Sequence, residues 1–295
     1  MQLSVVIITY NEEANIGRTL ASVQPLVGDG KGEIIVVDSG STDRTVEIAK
    51  SFAAKVFVEE WKGFAAQKNS AIDKAAGDWI LSLDADEEVG LELCGEVATV
   101  LANQFAREQS QGVPDTCNNR LEEIRRVQRE SGIPLTRFTF GYWIDRKNFF
   151  LGRWIKRGGF WPDPKMRLFR SGAGRFEERA VHEDFRLQGP DAAVKNALIH
   201  HSYPTLSDYI EHMNRYSSLG AEMVVAKGKV RFSVINIVMR PMLTFIYNYF
   251  FRLGFLDGRE GLLLHLYHAV YVSWKYAKAW ELSQLNLRNK KGMSS

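Results

Sequence analysis

GDWILSLDADEE, residues Gly77–Glu88, decides how this chain is read. Trp79–Leu83 is an apolar run long enough for a buried strand. It ends on two carboxylates, Asp84 and Asp86, with the small Ala85 between them. Alternate residues of an extended chain point the same way, so both carboxylates can reach one point. Oxygen ligands at the end of a buried strand suit Mg2+ or Mn2+, above all an ion that also binds a diphosphate. The plain alternative is a solvated acidic turn, and the tripeptide alone does not separate the two.

The flanking sequence repeats the pattern. Leu3–Ile8 is a continuous apolar run of the type buried on both faces. TYNEE follows, then a helix with Ile16, Leu20 and Val23 on one face. Asn11 stands where it can cap that helix, and Glu12 and Glu13 favour its first turn. Glu33–Val37 is a second strand ending at Asp38, and SGSTD leads into a helix with Val46 and Ile48–Ala49 inward. Val56–Val58 is a short third strand. Gly63–Ala76 is a helix bearing Gln67, Lys68 and Asn69. Strands alternating with helices imply right-handed βαβ units and a mostly parallel α/β sheet. Ligands of such sheets sit beyond the carboxyl ends of the strands, where TYNEE, DSGSTD and DADE all fall. No Gly-x-Gly-x-x-Gly follows the first strand, and GDGKGE at 28–33 lacks P-loop spacing. Both observations argue against a dinucleotide or P-loop site.

The 295 residues allow one large domain with an appendage. From Lys227 onward eleven Lys or Arg stand against three Asp or Glu, a charge of +8. That leaves −5 for the rest of a chain whose total is +3. A mildly acidic body with a basic, apolar tail points to an anionic surface rather than to nucleic acid. The two cysteines, Cys94 and Cys117, have no metal-ligand spacing and fit a reducing compartment. The chain opens directly on a strand pattern, without the features of a signal peptide.

Residues 103–137 are highly charged with a thin apolar stripe, and read as a surface insertion without chemistry. Residues 138–180 interleave Trp154, Phe160 and Trp161 with Arg153, Lys156, Arg157, Lys165 and Arg167. Aromatic faces suit sugar rings, and the cations suit phosphates. In Val181-His182-Glu183-Asp184 either carboxylate can serve as a general base, with His182 to orient it; a solvated turn is the alternative. Ala197–His201 is a strand pattern, and His201 at its end can complete a metal shell with the two Asp, or simply be hydrogen-bonded. Thr205–Ala226 reads as a helix capped by Thr205 or Ser207. Residues 232–280 hold three apolar runs, each shorter than the roughly 18–20 residues that span a bilayer. They read as interfacial helices on a membrane surface, against a packed helical subdomain. This gives domains at 1–226 and 227–295.

With these residues together, the chain resembles family 2 glycosyltransferases. VVIITYNEEANI, IIVVDSGSTDRT and QKNSAIDKAAGDWILSLDADE carry the resemblance in the first half. FLGRWIKRGGFWPDPKMRLFR, ERAVHED and HHSYPTLSDYIEHMNRYS resemble the branch of bacterial lipopolysaccharide-core β-glucosyltransferases. The resemblance implies a GT-A fold, a UDP-sugar donor, a divalent metal and inversion at the anomeric carbon. It implies Tyr10 and Glu12 at the nucleoside, Asp38 at the uracil edge and Lys68 at the diphosphate. Asp84 then lies near ribose and metal, and Asp86 is the principal metal ligand. Glu183 takes the place of the family's base, with Asp184 beside it as the competing choice. The implied acceptor is a glycan or glycolipid such as lipopolysaccharide core, at the cytoplasmic face of the bacterial inner membrane, with the protein peripheral. A polyprenyl-phosphate acceptor, or a non-catalytic sugar-nucleotide-binding membrane protein, are the alternatives. Retention of both carboxylate pairs speaks against the latter. A sugar-1-phosphate nucleotidyltransferase would need a Gly-rich, Arg-bearing first loop, which TYNEE is not.

Overall fold

The computed structural model describes residues 2–28, 30–112, 122, 124–126, 138–177, 184–228 and 230–292. The chain divides into two compact units, Met1–Arg146 with Asp163–His200, and Lys147–Pro162 with His201–Ser295.

In the first unit, β1 (Leu3–Thr9) is buried along its whole length, and β2 (Gly32–Asp38) over its last five residues. Such runs have no polar face because helices cover both sides. Between them α1 (Ile16–Val27) buries Ile16, Leu20 and Val23 as the spacing predicts. Asn15, not Asn11, stands at its N-cap position. Asn11 adopts a left-handed φ of 51°, which asparagine tolerates, and serves the loop instead. α2 (Thr45–Ser51) leads to β3 (Lys55–Val58), and α3 (Phe64–Asp73) leads to β4 (Trp79–Asp84). β1 pairs in parallel with β2 and β4, and β2 with β3. The register sets Thr9 opposite Asp38 and Ile8 opposite Asp84. The carboxyl ends of three strands therefore finish level, which brings their polar loops to one edge.

β5 (Glu87–Glu88) and α4 (Leu91–Ser110) follow. The insertion expected from residue 103 does not begin there, because α4 runs on to Ser110. Gln104 and Glu108 are buried in it: Gln104 Nε2 donates to Tyr142 Oη at 2.7 Å, and Glu108 accepts from the buried Arg170. Paired inward polar groups look like a solvated face in sequence, which explains the difference. Most of residues 113–137 lie outside the described residues.

β6 (Gly141–Phe150) starts in this unit, and β7 (Arg153–Trp154) pairs with its far end in the second. β8 (Pro164–Arg170) lies antiparallel between β4 and β6, so the order runs β3-β2-β1-β4-β8-β6. A small hairpin, β9 (Gly174–Glu177) with β10 (Asp184–Leu187), packs Phe176 and Phe185 against Phe169. β11 (Asp191–Ala193) runs beside β6. β12 (Leu198–Tyr203) pairs Ile199 with Glu88 and His200 with Glu87.

The second unit takes in the aromatic-basic segment and everything from His201, so the contacts do not divide the chain at 226/227. The reason is that α5 (Leu206–Ala226), opened by a Thr205–Asp208 capping box, packs along the last helix. A helical stretch covers Ile235–Phe251, with α6 (Arg240–Ile246) between two π-helical turns. Arg240-Pro241 does not break it. Pro241 sits in the first turn of α6, where a missing N–H is tolerated. α7 (Gly258–Gly292) closes the chain. Among the described residues no helix is long and apolar enough to cross a membrane.

Candidate active site

The loops after β1 and β2 interlock. Asn11 Oδ1 accepts from Thr42 N at 2.8 Å, and Asn11 N donates to Ser41 Oγ at 2.8 Å. Glu12 N donates to Thr45 Oγ1 at 2.8 Å, and Glu13 Oε2 accepts from Arg44 N at 3.0 Å. Asp38 is fully buried, and its carboxylate accepts from Gly40 N at 3.0 Å, from Ser41 N at 2.8 Å and from Ser41 Oγ. Its oxygens thus hold the loop that shapes this edge. Tyr10 stands beside it with 56% of its surface exposed, a free ring face for stacking.

Asp84 is held between cations. Lys68 Nζ lies 2.9 Å from Oδ1, and Arg167 Nη2 lies 2.5 Å from Oδ2. Burial raises the Asp84 pKa, but Arg167, Lys68 and Arg146 together hold it well below the usual carboxylate range. Arg167 is itself 3% exposed and also meets the fully buried Glu87 at 2.5 Å. Arg146 Nη1 reaches the same Glu87 at 3.2 Å, and its Nη2 reaches Asp163 at 2.8 Å. Glu87 Oε2 closes the turn by accepting from Asp84 N at 3.0 Å. Arg167, placed by sequence among phosphate-binding cations, is therefore an internal support for Asp84. Glu87 is the third acid of DADE, and neither it nor Arg146 has a local sequence signature of this pairing, because their partners come from distant parts of the chain.

Asp86 faces a different partner. His200 Nε2 lies 3.2 Å from Asp86 Oδ2. Burial raises the Asp86 pKa, and the His200 charge and hydrogen bond bring it below the ordinary value. The strand register explains the choice of histidine: His200 sits opposite Glu87 in β12, beside the turn that carries Asp86. His201, the histidine expected here, instead stacks on Phe149 with ring centroids 5.8 Å apart. Glu12 shares the acidic field. Burial raises its pKa, Asn15 opposes, and the charges of Asp86, Asp43 and Asp84 raise it further.

Asn69 ties the hairpin to α3. Its Nδ2 donates to Phe176 O at 2.9 Å and its Oδ1 accepts from Phe176 N at 3.0 Å. Lys68 Nζ lies 5.3 Å from the Phe176 ring centroid. Gln67 next to it is fully buried, and among the described residues neither amide atom has a hydrogen-bond partner. The three consecutive residues of QKN thus face an unfilled polar need, the Asp84 carboxylate and the hairpin. Asp184, exposed at the start of β10 opposite Glu177, lines a cavity of about 490 Å³ with Trp143, Met166 and Glu177. Glu183 lies outside the described residues.

A metal would find Asp86 and His200 on this edge as a carboxylate oxygen and an imidazole nitrogen. Both are competent ligands, and Mg2+ or Mn2+ commonly takes its remaining ligands from phosphates and water. Asp84 is committed to Lys68 and Arg167. Among the described residues no group of three His, Cys, Asp or Glu is arranged to hold an ion by itself. The donor set fits an ion shared with a diphosphate.

A sequence model described as Glycosyl transferase family 2 matches residues 4–173, more than half of the chain. The chain belongs to glycosyl transferase family 2. Its fold is GT-A, and its activity is glycosyl transfer. An uncharacterized glycosyltransferase of Rickettsia typhi is 29% identical over 98% of this family member and 89% of the relative. The lipopolysaccharide core biosynthesis glycosyltransferase LpsC of Rhizobium meliloti is 26% identical over 98% and 95% of the two chains. A crystal structure of glucosyl-3-phosphoglycerate synthase from Mycobacterium tuberculosis with Mn2+, UDP and glucosyl-3-phosphoglycerate is 32% identical. It covers 29% of this chain and 34% of that one, with a TM-score of 0.27.

Proposed function

We propose that this glycosyltransferase moves a hexose, glucose by the resembled branch, from a UDP-sugar to a glycan or glycolipid of the bacterial envelope, with inversion. The observation that carries the reading is the Asp86–His200 pair on the edge where the Asp84–Lys68–Arg167 cluster also ends. An anionic diphosphate needs a cation there, and Asp86 and His200 are the residues that would hold it. When bound, such an ion neutralises charge that develops on the departing diphosphate oxygen.

The chain's own residues account for the rest. Tyr10 offers a stacking face for the base, and Asp38 fixes the loop around it. Asp84, locked in one orientation by two cations, offers its remaining acceptor capacity to ribose hydroxyls. On this reading Glu183 removes the acceptor hydroxyl proton as that oxygen bonds to the anomeric carbon and the bond to the diphosphate breaks. Asp184 is the competing base. One base and one displacement suffice, which is consistent with inversion.

That LpsC is named for lipopolysaccharide core biosynthesis supports an acceptor of that class. The basic, apolar C-terminal region supports peripheral attachment to an anionic membrane surface, at the cytoplasmic face of the inner membrane. The test is a screen of UDP-, GDP- and dTDP-sugars for hydrolysis and thermal stabilisation, with Mn2+, Mg2+ or chelator. Stabilisation by UDP-glucose that disappears with chelator supports the reading. Equal stabilisation by every nucleotide sugar, indifferent to chelator, overturns it.

A further inference from the structure

The second unit carries a basic cavity to which the proposed transfer assigns no role. Lys156, Arg157 and Arg252 line a cavity of about 210 Å³ with Trp161, Phe251 and Leu253. The cavity is built, not incidental. Lys156 N and Arg157 N donate to the buried Asp257 Oδ2 at 3.1 and 2.8 Å, which fixes the basic turn. Gly158 N donates to Arg252 O at 3.0 Å. A Cβ at Gly159 would lie 2.1 Å from Arg252 Nη1, so only glycine lets the guanidinium lie across the turn. Lys156 Nζ and Lys147 Nζ both sit over the Trp154 ring, 4.3 and 5.1 Å from its centroid, which gathers a further cation at the same place. Behind Gly158 lies the fully buried His265, whose ring nitrogens have no hydrogen-bond partner among the described residues.

The rim continues into apolar surface. Phe251 is 74% exposed and Ile235 69%, and Leu243, Tyr247 and Phe250 are exposed between them. A water-facing apolar stretch of this extent marks an interaction site. From Lys227 to Leu256 the sequence contains five Lys or Arg and no Asp or Glu. The charge selects an anionic occupant and the rim selects a hydrocarbon one.

We infer that this cavity binds the phosphate of an amphipathic lipid, with the anion against Lys156, Arg157 and Arg252 and the hydrocarbon on the face that begins at Phe251 and Leu253. Arg and Lys supply charge-assisted hydrogen bonds to phosphate oxygens. Exposed aromatic and aliphatic side chains at the rim sit at the headgroup boundary. The site lies within one unit, and its occupancy is read without sugar transfer.

The experiment uses the full chain with phosphatidylcholine vesicles, with and without phosphatidic acid. Short-chain phosphatidic acid and inorganic phosphate are the soluble competitors. Flotation is expected only with phosphatidic acid, and competition by the short-chain lipid at concentrations where inorganic phosphate has no effect. Arg157→Gln with Lys156→Gln should weaken binding by at least about tenfold, since each basic group near a lipid surface contributes a several-fold factor. Both residues are exposed, so the fold is retained, and UDP binding by calorimetry should not change. Phe251→Ser should weaken vesicle binding and shrink the advantage of the short-chain lipid over inorganic phosphate as a competitor. Equal flotation without phosphatidic acid, or unchanged binding in the charge variant, overturns the proposal. So does inorganic phosphate competing as well as the lipid. A dimer in ultracentrifugation that Phe251→Ser dissociates, with no lipid bound, assigns the face to a second copy and overturns it too.

Discussion

His200 presents Nε2 to Asp86 Oδ2 at 3.2 Å, across the turn that joins β4 to β5. A carboxylate and an imidazole so placed can share one cation. Asp86→Ala should abolish metal-dependent binding of UDP with an unchanged circular dichroism spectrum. His200→Ala should weaken it by at least about tenfold. His201→Ala, whose ring lies on Phe149, should leave it intact. Calorimetry with Mn2+ and with chelator measures all three, and undiminished metal-sensitive binding in the Asp86 variant excludes that residue from the site.

Glu183→Gln should retain UDP-sugar binding and lose transfer by about 10²-fold or more, the lower end for removal of a general base. Asp184→Asn, at the exposed start of β10, should lose much less. Rates on the true acceptor decide between them. A dead Asp184→Asn with an active Glu183→Gln exchanges the two roles.

Asn69→Ala removes both hydrogen bonds that hold the Phe176 backbone to α3. Leaving that N–H and C=O without a partner should destabilise the hairpin by about 1–3 kcal/mol. Transfer should fall while UDP affinity holds, because the proposed base falls in the sequence between the two strands of this hairpin and the Asn69 side chain bonds the Phe176 backbone, not Asp84 or Asp86. Urea unfolding alongside steady-state rates separates the two effects.

Arg167→Met strips one cation from Asp84 and from the buried Glu87. Breaking one side of a buried charge cluster costs about 3–5 kcal/mol. The lower part of that range is expected here, since Arg146 still reaches Glu87 and Asp84 is partly exposed. A shift in urea midpoint at constant slope is the readout.

Glu59 anchors α3 to the end of β3. Its pKa is lowered to about 2 by Lys74 above all, then by Ser70, with Lys62 contributing. Lys74 Nζ lies 2.6 Å from Oε1. A depressed folded-state pKa stabilises fully above the unfolded value and is lost as pH falls through the folded one. The wild-type stability should therefore drop between about pH 4.5 and 2, and Glu59→Gln should flatten that part of the curve. Identical acid profiles for the two proteins contradict this.

The parallel half of the sheet was legible because its strands are buried on both faces and end on charged loops. Leu3–Thr9 and Trp79–Asp84 have no polar alternation to confuse, and the level strand ends follow from topology. The partners of the site carboxylates were not legible. Whether Asp84 meets a lysine, an arginine or an ion depends on β8, which joins β4 across the fold from residues 164–170. The same distance hid His200, whose register against Glu87 distinguishes it from His201 and has no local signature. The reach of α4 was missed because Gln104 and Glu108 find buried partners in Tyr142 and Arg170, which only the folded chain reveals.

The interlock of TYNEE with DSGSTD bears on the thermodynamics of donor capture. Each loop is already tied to the other through Asn11, Glu12, Glu13 and their partners. Fixing a residue's backbone costs about 1–2 kcal/mol of entropy, and here that cost falls on folding rather than on ligand association. If the nucleoside docks at Tyr10 as proposed, it meets a rim that need not be ordered. Its binding should show a small entropic penalty, and weakening one cross-loop bond should raise that penalty before it changes any direct contact.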